Sequence, residues 1–389
     1  MRLFTVFFLA TLISNISVIS VAAENELTKE QIRDGWILLF DGETLFGWQP
    51  TSEANWQVVD GAIRASEGTA GFLVTTTRFA DYQLHVDFLA EPKTNSGLFL
   101  HTQPVPSNPA TDCCELNIAP PENAFPTGSV VKRQKAELRD VWDGHWHTYD
   151  VTLVGGKLAI QFDGKPLLEY VDPQPLAHGH IGLQFREGPI AFRNLRIKPL
   201  GTKPIFSGRD LTGWNTDRAE KSRFEVTPAG ELRVLDGRGQ LESDGQYGDF
   251  VLQLECLVDG EGLNSGIFFR CIPGDFMMGY ECQIHNGMQD DDPAKPSDCG
   301  TGGIFRRQNA RRIVARDRQW FALTLAADGP HMAAWVDGYQ VSDWTDTRRP
   351  HENPRKGLRL APGTLAIQGH DPTTDLRFRK LRIEELPGE

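Results

Sequence analysis

The chain has 389 residues, 40% of them hydrophobic and 24% charged. That composition is globular, and the length suits about two domains of ~100–200 residues. A formal net charge of −12 excludes general nucleic-acid binding, which needs a basic field.

The chain starts MRLFTVFFLATLISNISVISVAAENE. Arg2, a long apolar run and the small residues Val21-Ala22-Ala23 before Glu24 read as a signal peptide over residues 1–23. An uncleaved anchor is the alternative, because the apolar run is long. The first cysteine is Cys113, so no lipobox follows the run. After cleavage no segment is long and apolar enough to span a bilayer. The expected location is outside the cytoplasm, periplasmic or extracellular.

Next comes LFDGETLFGW at 39–48, and IFSGRDLTGW at 205–214 is a near-copy. An offset of 166 residues is too long for a solenoid repeat and fits a duplicated domain. Other landmarks return in the same order. Asn95-Ser96-Gly97 is answered by Asn264-Ser265-Gly266, and Glu115-Leu116-Asn117-Ile118 by Glu281-Cys282-Gln283-Ile284. Thr127-Gly128 is answered by Thr301-Gly302, Trp146 by Trp320, and Asn194-Leu195-Arg196-Ile197 by Lys380-Leu381-Arg382-Ile383. Two homologous domains are expected, at 30–200 and 201–389. Apart from a short helix around Thr28 to Asp34, each reads as β. Tyr82, Leu84, Val86 and Phe88 alternate with polar residues, the period of a half-buried strand. Asp163-Gly164 and Asp337-Gly338 supply the positive φ of two-residue hairpin turns. Short strands in domains of about 170 residues suggest an all-β jelly-roll sandwich. The aromatics of LFDGETLFGW are read as a packed entry strand and loop.

Six cysteines are present without a Cys-x-x-Cys pair, which argues against a zinc ribbon. A secreted protein can carry disulfides. Cys282 to Cys299 closes a loop with turn residues inside, and any bridge is expected there. His145-Trp146-His147 and His178-Gly179-His180 have no counterpart in the second domain and are read as structural rather than metal-binding. The acidic run at Gln289 to Pro293 lacks the ligand order of a calcium loop. No cofactor is expected, and calcium lacks support. Arg306 to Arg318 is locally basic and is read as a solvated strand and loop, with contact to an anionic glycan as the alternative.

The ordered series L-F-[DN]-G-x-x-L-x-G-W, N-S-G-[IL]-F, E-x-[QN]-I, T-G and [NK]-[IL]-R-I resembles the 3-keto-disaccharide hydrolase domain family, twice over. The resemblance implies two tandem concanavalin A-like (lectin/glucanase) jelly-roll domains in an exported, carbohydrate-active protein. It implies hydrolysis or elimination at glycosides of sugars oxidised at C3, where a base removes the acidified C2 proton. The family pattern places Arg after N-S-G-[IL]-F and His near the end of the penultimate strand. The second domain keeps both, as Arg270 and His370; the first has His101 and Arg186 there.

Such chemistry needs a base, an acid and an enolate donor. Glu281 with Arg270 and His370 supply candidates in the second domain, beside Gln283 and Gln368 for substrate binding. Glu115 is the candidate in the first, beside His101, Asn117, Gln184 and Arg186. Glu281 and Gln283 lie two apart on a strand and share a face, as do Glu115 and Asn117. The Arg–His exchange suggests that these side chains face each other across each pocket. Neither Glu motif fits the two-carboxylate strand of conventional glucanases. A non-catalytic carbohydrate-binding module and a cell-envelope interaction scaffold are the alternatives to an enzyme. The oligomeric state is not legible.

Overall fold

A computed structural model describes residues 23–388 except 109 and 138–143. Residues 1–22 of the expected signal peptide lie outside the described residues. The chain begins its packed course at Asn25, which is buried and exchanges two hydrogen bonds with Asn194 at 2.6 and 2.9 Å. The expected short helix is present at Lys29–Arg33. Thr28 and Gln31 close a reciprocal capping box at its start, satisfying donors that a helix N-terminus leaves orphaned.

The rest is β. Among the described residues four antiparallel sheets form two sandwiches. In the first, a five-stranded sheet runs in the order Trp48–Pro50, Gly71–Thr75, His180–Glu187, Asn95–Thr102, Cys114–Ile118. In the second, the order is Trp214–Asn215, Gly239–Tyr247, Gly363–Gly369, Ser265–Cys271, Tyr280–Ile284. Each is backed by an eight-stranded sheet. The strand order is the same in both sandwiches, so the duplication seen in sequence is a duplication of topology.

Period two decides which residues meet between the sheets. In Tyr280–Ile284, Tyr280, Cys282 and Ile284 enter the second core, which leaves Glu281 and Gln283 on the opposite face. The first sandwich repeats this with Leu116 and Ile118 inside and Glu115 and Asn117 outside.

LFDGETLFGW and its copy serve packing. Trp48 fills the first core and its indole donates to the Leu39 carbonyl at 2.5 Å. Trp214 does the same in the second core, donating to Ile205 at 3.0 Å. A buried indole N–H needs such a partner. In the first copy Asp41 has a further task. It accepts the Thr44 amide at 2.7 Å and the Arg311 guanidinium of the second sandwich at 2.7 Å. Arg311 also lies 4.4 Å from the ring centres of Phe46 and Tyr339. Part of the basic run is therefore an inter-domain clamp.

The sandwiches share a packed interface. Trp335, on the larger sheet of the second sandwich, is 1% exposed and belongs to the core of the first. Its indole donates to Leu38 at 2.9 Å. Arg78 pairs with Asp328 across the same junction, and Gln253 donates to Gly35 at 2.9 Å.

Cys282 and Cys299 are both free thiols, so the bridge expected between them is not formed. Cys282 is committed to the apolar core by its place in the strand, and Cys299 turns toward the Gln308 carbonyl at 3.4 Å. Of the paired histidines, His147 lies 2.9 Å from Asp163, and His180 Nδ1 is 2.6 Å from the Thr75 carbonyl. Both are structural contacts.

Candidate functional site

The outer face of each five-stranded sheet carries the same polar pattern. Phe99 pairs with Glu115, and Gly97 lies between Asn117 and Gln184. In the second sandwich Phe268 pairs with Glu281, and Gly266 with Gln283. Ile267 pairs with Ile367, which sets Gln368 on the other flank of Gly266. Each face thus has a carboxylate, two amides and a floor without a side chain.

That floor is sterically required. A Cβ on Gly266 would lie 2.8 Å from Glu281 Oε1 and 2.9 Å from its Cγ. On Gly97 it would approach the Leu116 carbonyl at 3.1 Å and Glu115 Oε1 at 3.4 Å. The glycine lets the carboxylate lie flat along the sheet.

The amides are poised as acceptors. Asn117 Nδ2 donates to the Phe125 carbonyl and Gln283 Nε2 to Asp298 at 3.3 Å. Their nitrogens are tied to the protein. The amide oxygens of Asn117, Gln184, Gln283 and Gln368 are buried without a hydrogen-bond partner among the described residues. Buried polar groups are nearly always paired, and an unpaired one carries a desolvation cost. Four such oxygens at matching places on two faces point to a ligand that brings O–H or N–H donors.

The carboxylates are buried too, at 7% exposure for Glu115 and 4% for Glu281. Burial pushes Glu115 up to about 7, with Arg186 and Lys132 opposing only weakly through their charge. Glu281 is likewise raised above the usual carboxylate range by burial, against the pull of Arg355. A carboxyl group near neutrality can both take and give a proton at physiological pH.

Two candidates leave the site. Arg270 is fully buried and its side chain runs away from Glu281. It donates to the carbonyls of Gly248 at 2.8 Å, Gly329 at 2.6 Å and Arg359 at 3.2 Å, and to Asp249 at 2.7 Å. His101 places its ring nitrogens 2.9 Å from the Leu176 carbonyl and 2.6 Å from that of Ala80. Both residues sit at positive φ, 46° and 49°, where the strand kinks. The kink reverses the face that alternation assigns to them, so neither stands across a pocket from His370 or Arg186. His370 and Arg186 are exposed at the strand end and reach their carboxylates through charge alone; His370 is bonded to Asp371 at 3.0 Å.

Two residues beyond the sequence motifs join the second site. Arg355 Nη2 donates to Glu281 Oε2 at 2.8 Å, with its guanidinium 4.9 Å from the centre of the Phe268 ring. Asp298 holds Asn264 and Gln283. Both lie in connections longer than their counterparts in the first domain. That difference in length between the repeats was the available signal. Among the described residues no group of three or more His, Cys, Asp and Glu side chains is placed to hold a metal ion. Cavities of about 370 and 710 Å³ lie between the sandwiches, away from both carboxylates.

Two sandwiches of the same strand order, each with a polar outer face on its smaller sheet, define an all-β tandem of jelly-roll type. The chain belongs to the family described as the 3-keto-alpha-glucoside-1,2-lyase-like domain, whose model matches residues 35–198 and again 201–384. A 3-keto-disaccharide hydrolase of Bacteroides thetaiotaomicron is 25% identical over 43% of this chain and 79% of its own length. A putative glycosyl hydrolase of Parabacteroides distasonis matches 46% of this chain and all of its own, at 22% identity and a TM-score of 0.42. A β-glucanase of Bacillus licheniformis matches 42% of this chain and 97% of its own at 14% identity and a TM-score of 0.33. Membership of that family places the chain among carbohydrate-active proteins.

Proposed function

We propose that the protein is exported and cleaves glycosides of sugars oxidised at C3, at the polar outer surface of its five-stranded sheets, with a buried Glu as the base. The observation that carries the reading is the repeated arrangement of a buried Glu beside two amide oxygens that find no donor among the described residues. Sugar hydroxyls supply such donors. The family description and the name of the Bacteroides relative support a 3-keto substrate.

The chemistry balances with one water. The carboxylate takes the C2 proton, and the electron pair of that bond passes to the C3 carbonyl oxygen as an enolate. The enolate re-forms the ketone and a C1–C2 double bond as the C1–O bond breaks, and the leaving oxygen takes a proton. Water then adds across C1 and C2 to give the free 3-keto sugar. A general acid–base group contributes about 10²–10⁴-fold to such a step.

The test is incubation of the full protein with 3-keto-glucosides and with the unoxidised glucosides, following glycone release. Release from the oxidised sugars alone supports the reading. No release from any of them rejects it. Export is tested by N-terminal sequencing of protein recovered outside the cytoplasm, which should begin at Glu24.

A further inference from the structure

The two faces are similar in floor and amides but differ in what meets the carboxylate. Between the strands Tyr339–Thr345 and Gly363–Gly369 the second domain has 17 residues, 346–362. The first domain has 8 at the matching place, 172–179, between Lys165–Val171 and His180–Glu187. The longer connection carries Arg355 onto Glu281. The guanidinium is held there by three further contacts. It lies 4.9 Å from the Phe268 ring centre and 5.7 Å from that of Phe305, and its Nε donates to the Met277 carbonyl at 3.4 Å. The Glu115 carboxylate has no hydrogen bond or ion pair among the described residues, and Arg186 and Lys132 influence it only at a distance.

Building on the carbohydrate reading above, we infer that the faces have divided the work. Turnover proceeds at Glu115, while the second face is a glycan-binding site whose carboxylate Arg355 occupies. A base must offer a free lone pair to the substrate proton. The Arg355 guanidinium, 4.9 Å from the Phe268 ring centre, binds Glu281 Oε2, and an opposite charge in contact holds a carboxylate in its ionised form and so weakens it as a base. The oxygens of Gln283 and Gln368 stay free to accept sugar hydroxyls. The second face therefore keeps the means to hold a glycan but carries a carboxylate that the Arg355 ion pair makes a poorer base than Glu115.

The experiment compares full-length Glu115→Gln, Glu281→Gln and the double variant Glu115→Gln/Arg355→Gln on a 3-keto-glucoside, with calorimetric titration of an unoxidised glucoside. Circular dichroism checks the fold of each. Glu115→Gln should lose about 10²–10⁴-fold in turnover. The double variant should regain at least tenfold over Glu115→Gln, because Glu281 is released. Glu115→Gln should still bind the glucoside, and adding Gln283→Ala should weaken that binding at least tenfold. If Arg355→Gln does not fold, Arg355→Met, which keeps most of the stem and offers Glu281 neither charge nor donor, replaces it with the same expected gain. A loss in Glu281→Gln as large as in Glu115→Gln overturns the inference, as does a double variant no faster than Glu115→Gln. If the wild-type protein turns over no 3-keto-glucoside, the proposed reaction fails, and the titration still decides whether the second face binds glycans.

Discussion

Arg270 and His101 occupy the same kink of the same strand in the two sandwiches, at φ of 46° and 49°, and both turn inward to satisfy backbone carbonyls. Arg270 ties three carbonyls and Asp249 together at one end of its sandwich. Arg270→Ala removes that tie and takes the charged donor away from all four, leaving Asp249 only the Gly329 amide. Taking away one partner of a buried, hydrogen-bonded charge typically costs about 3–5 kcal/mol. Denaturant unfolding should show such a loss, with turnover per folded molecule unchanged. A variant of normal stability with lost turnover would return Arg270 to the active site.

Gly266→Ala tests the floor of the second face. The added Cβ must displace Glu281, whose Oε1 would lie 2.8 Å away. Overpacking of this kind costs about 1–3 kcal/mol. Titration should show glycan binding weakened at least tenfold at that face. Gly97→Ala should have the smaller effect on Glu115, since its closest carboxylate atom is at 3.4 Å. Equal binding by Gly266→Ala and wild type would mean that the glycine does not shape the site.

The pH dependence of stability follows from Glu115. Its carboxyl is raised to about 7 in the folded protein, from 4.5 when unperturbed. Below pH 4.5 both folded and unfolded chains carry the proton and burial costs nothing in charge. Between about 4.5 and 7 the unfolded chain releases its proton first, so stability falls as pH rises. Above 7 the loss is complete, on the order of 3 kcal/mol. Glu384 is raised to about 7 as well, chiefly by burial, and adds a fall of the same sign. Glu115→Gln should flatten the slope between pH 4.5 and 7 and raise the melting temperature above pH 7. An unchanged slope in that variant would remove the raised carboxyl from the account.

Trp335→Ala tests the junction. This side chain of the second sandwich lies in the core of the first, and truncating a buried aromatic typically costs about 3–5 kcal/mol. Scanning calorimetry should show the first sandwich melting earlier, as a transition separated from the second. One cooperative transition at the wild-type temperature would show that the interface contributes little.

The β-sandwich class, the duplication and the shared face of Glu281 with Gln283 were legible in the sequence, because each rests on local periodicity and on the order of motifs along the chain. Alternation by two assigns a face wherever the strand is regular. At Arg270 and His101 the strand is not regular: a positive φ kinks it, and no residue type there announces the kink. The partners of Glu281 were out of reach for another reason. Arg355 lies 74 residues further along the chain, in an irregular connection whose path is set by what it packs against. Nothing in local pattern says where such a loop returns. The free thiols of Cys282 and Cys299 were decided the same way, one by its strand's inward face and the other by the turn that aims it at Gln308. Sequence alone determined which groups each domain carries and on which side of a regular strand they stand. Only tertiary packing decided which of them meet, because the contacts that bury Arg270, free Glu115 and occupy Glu281 are made between segments far apart in the chain.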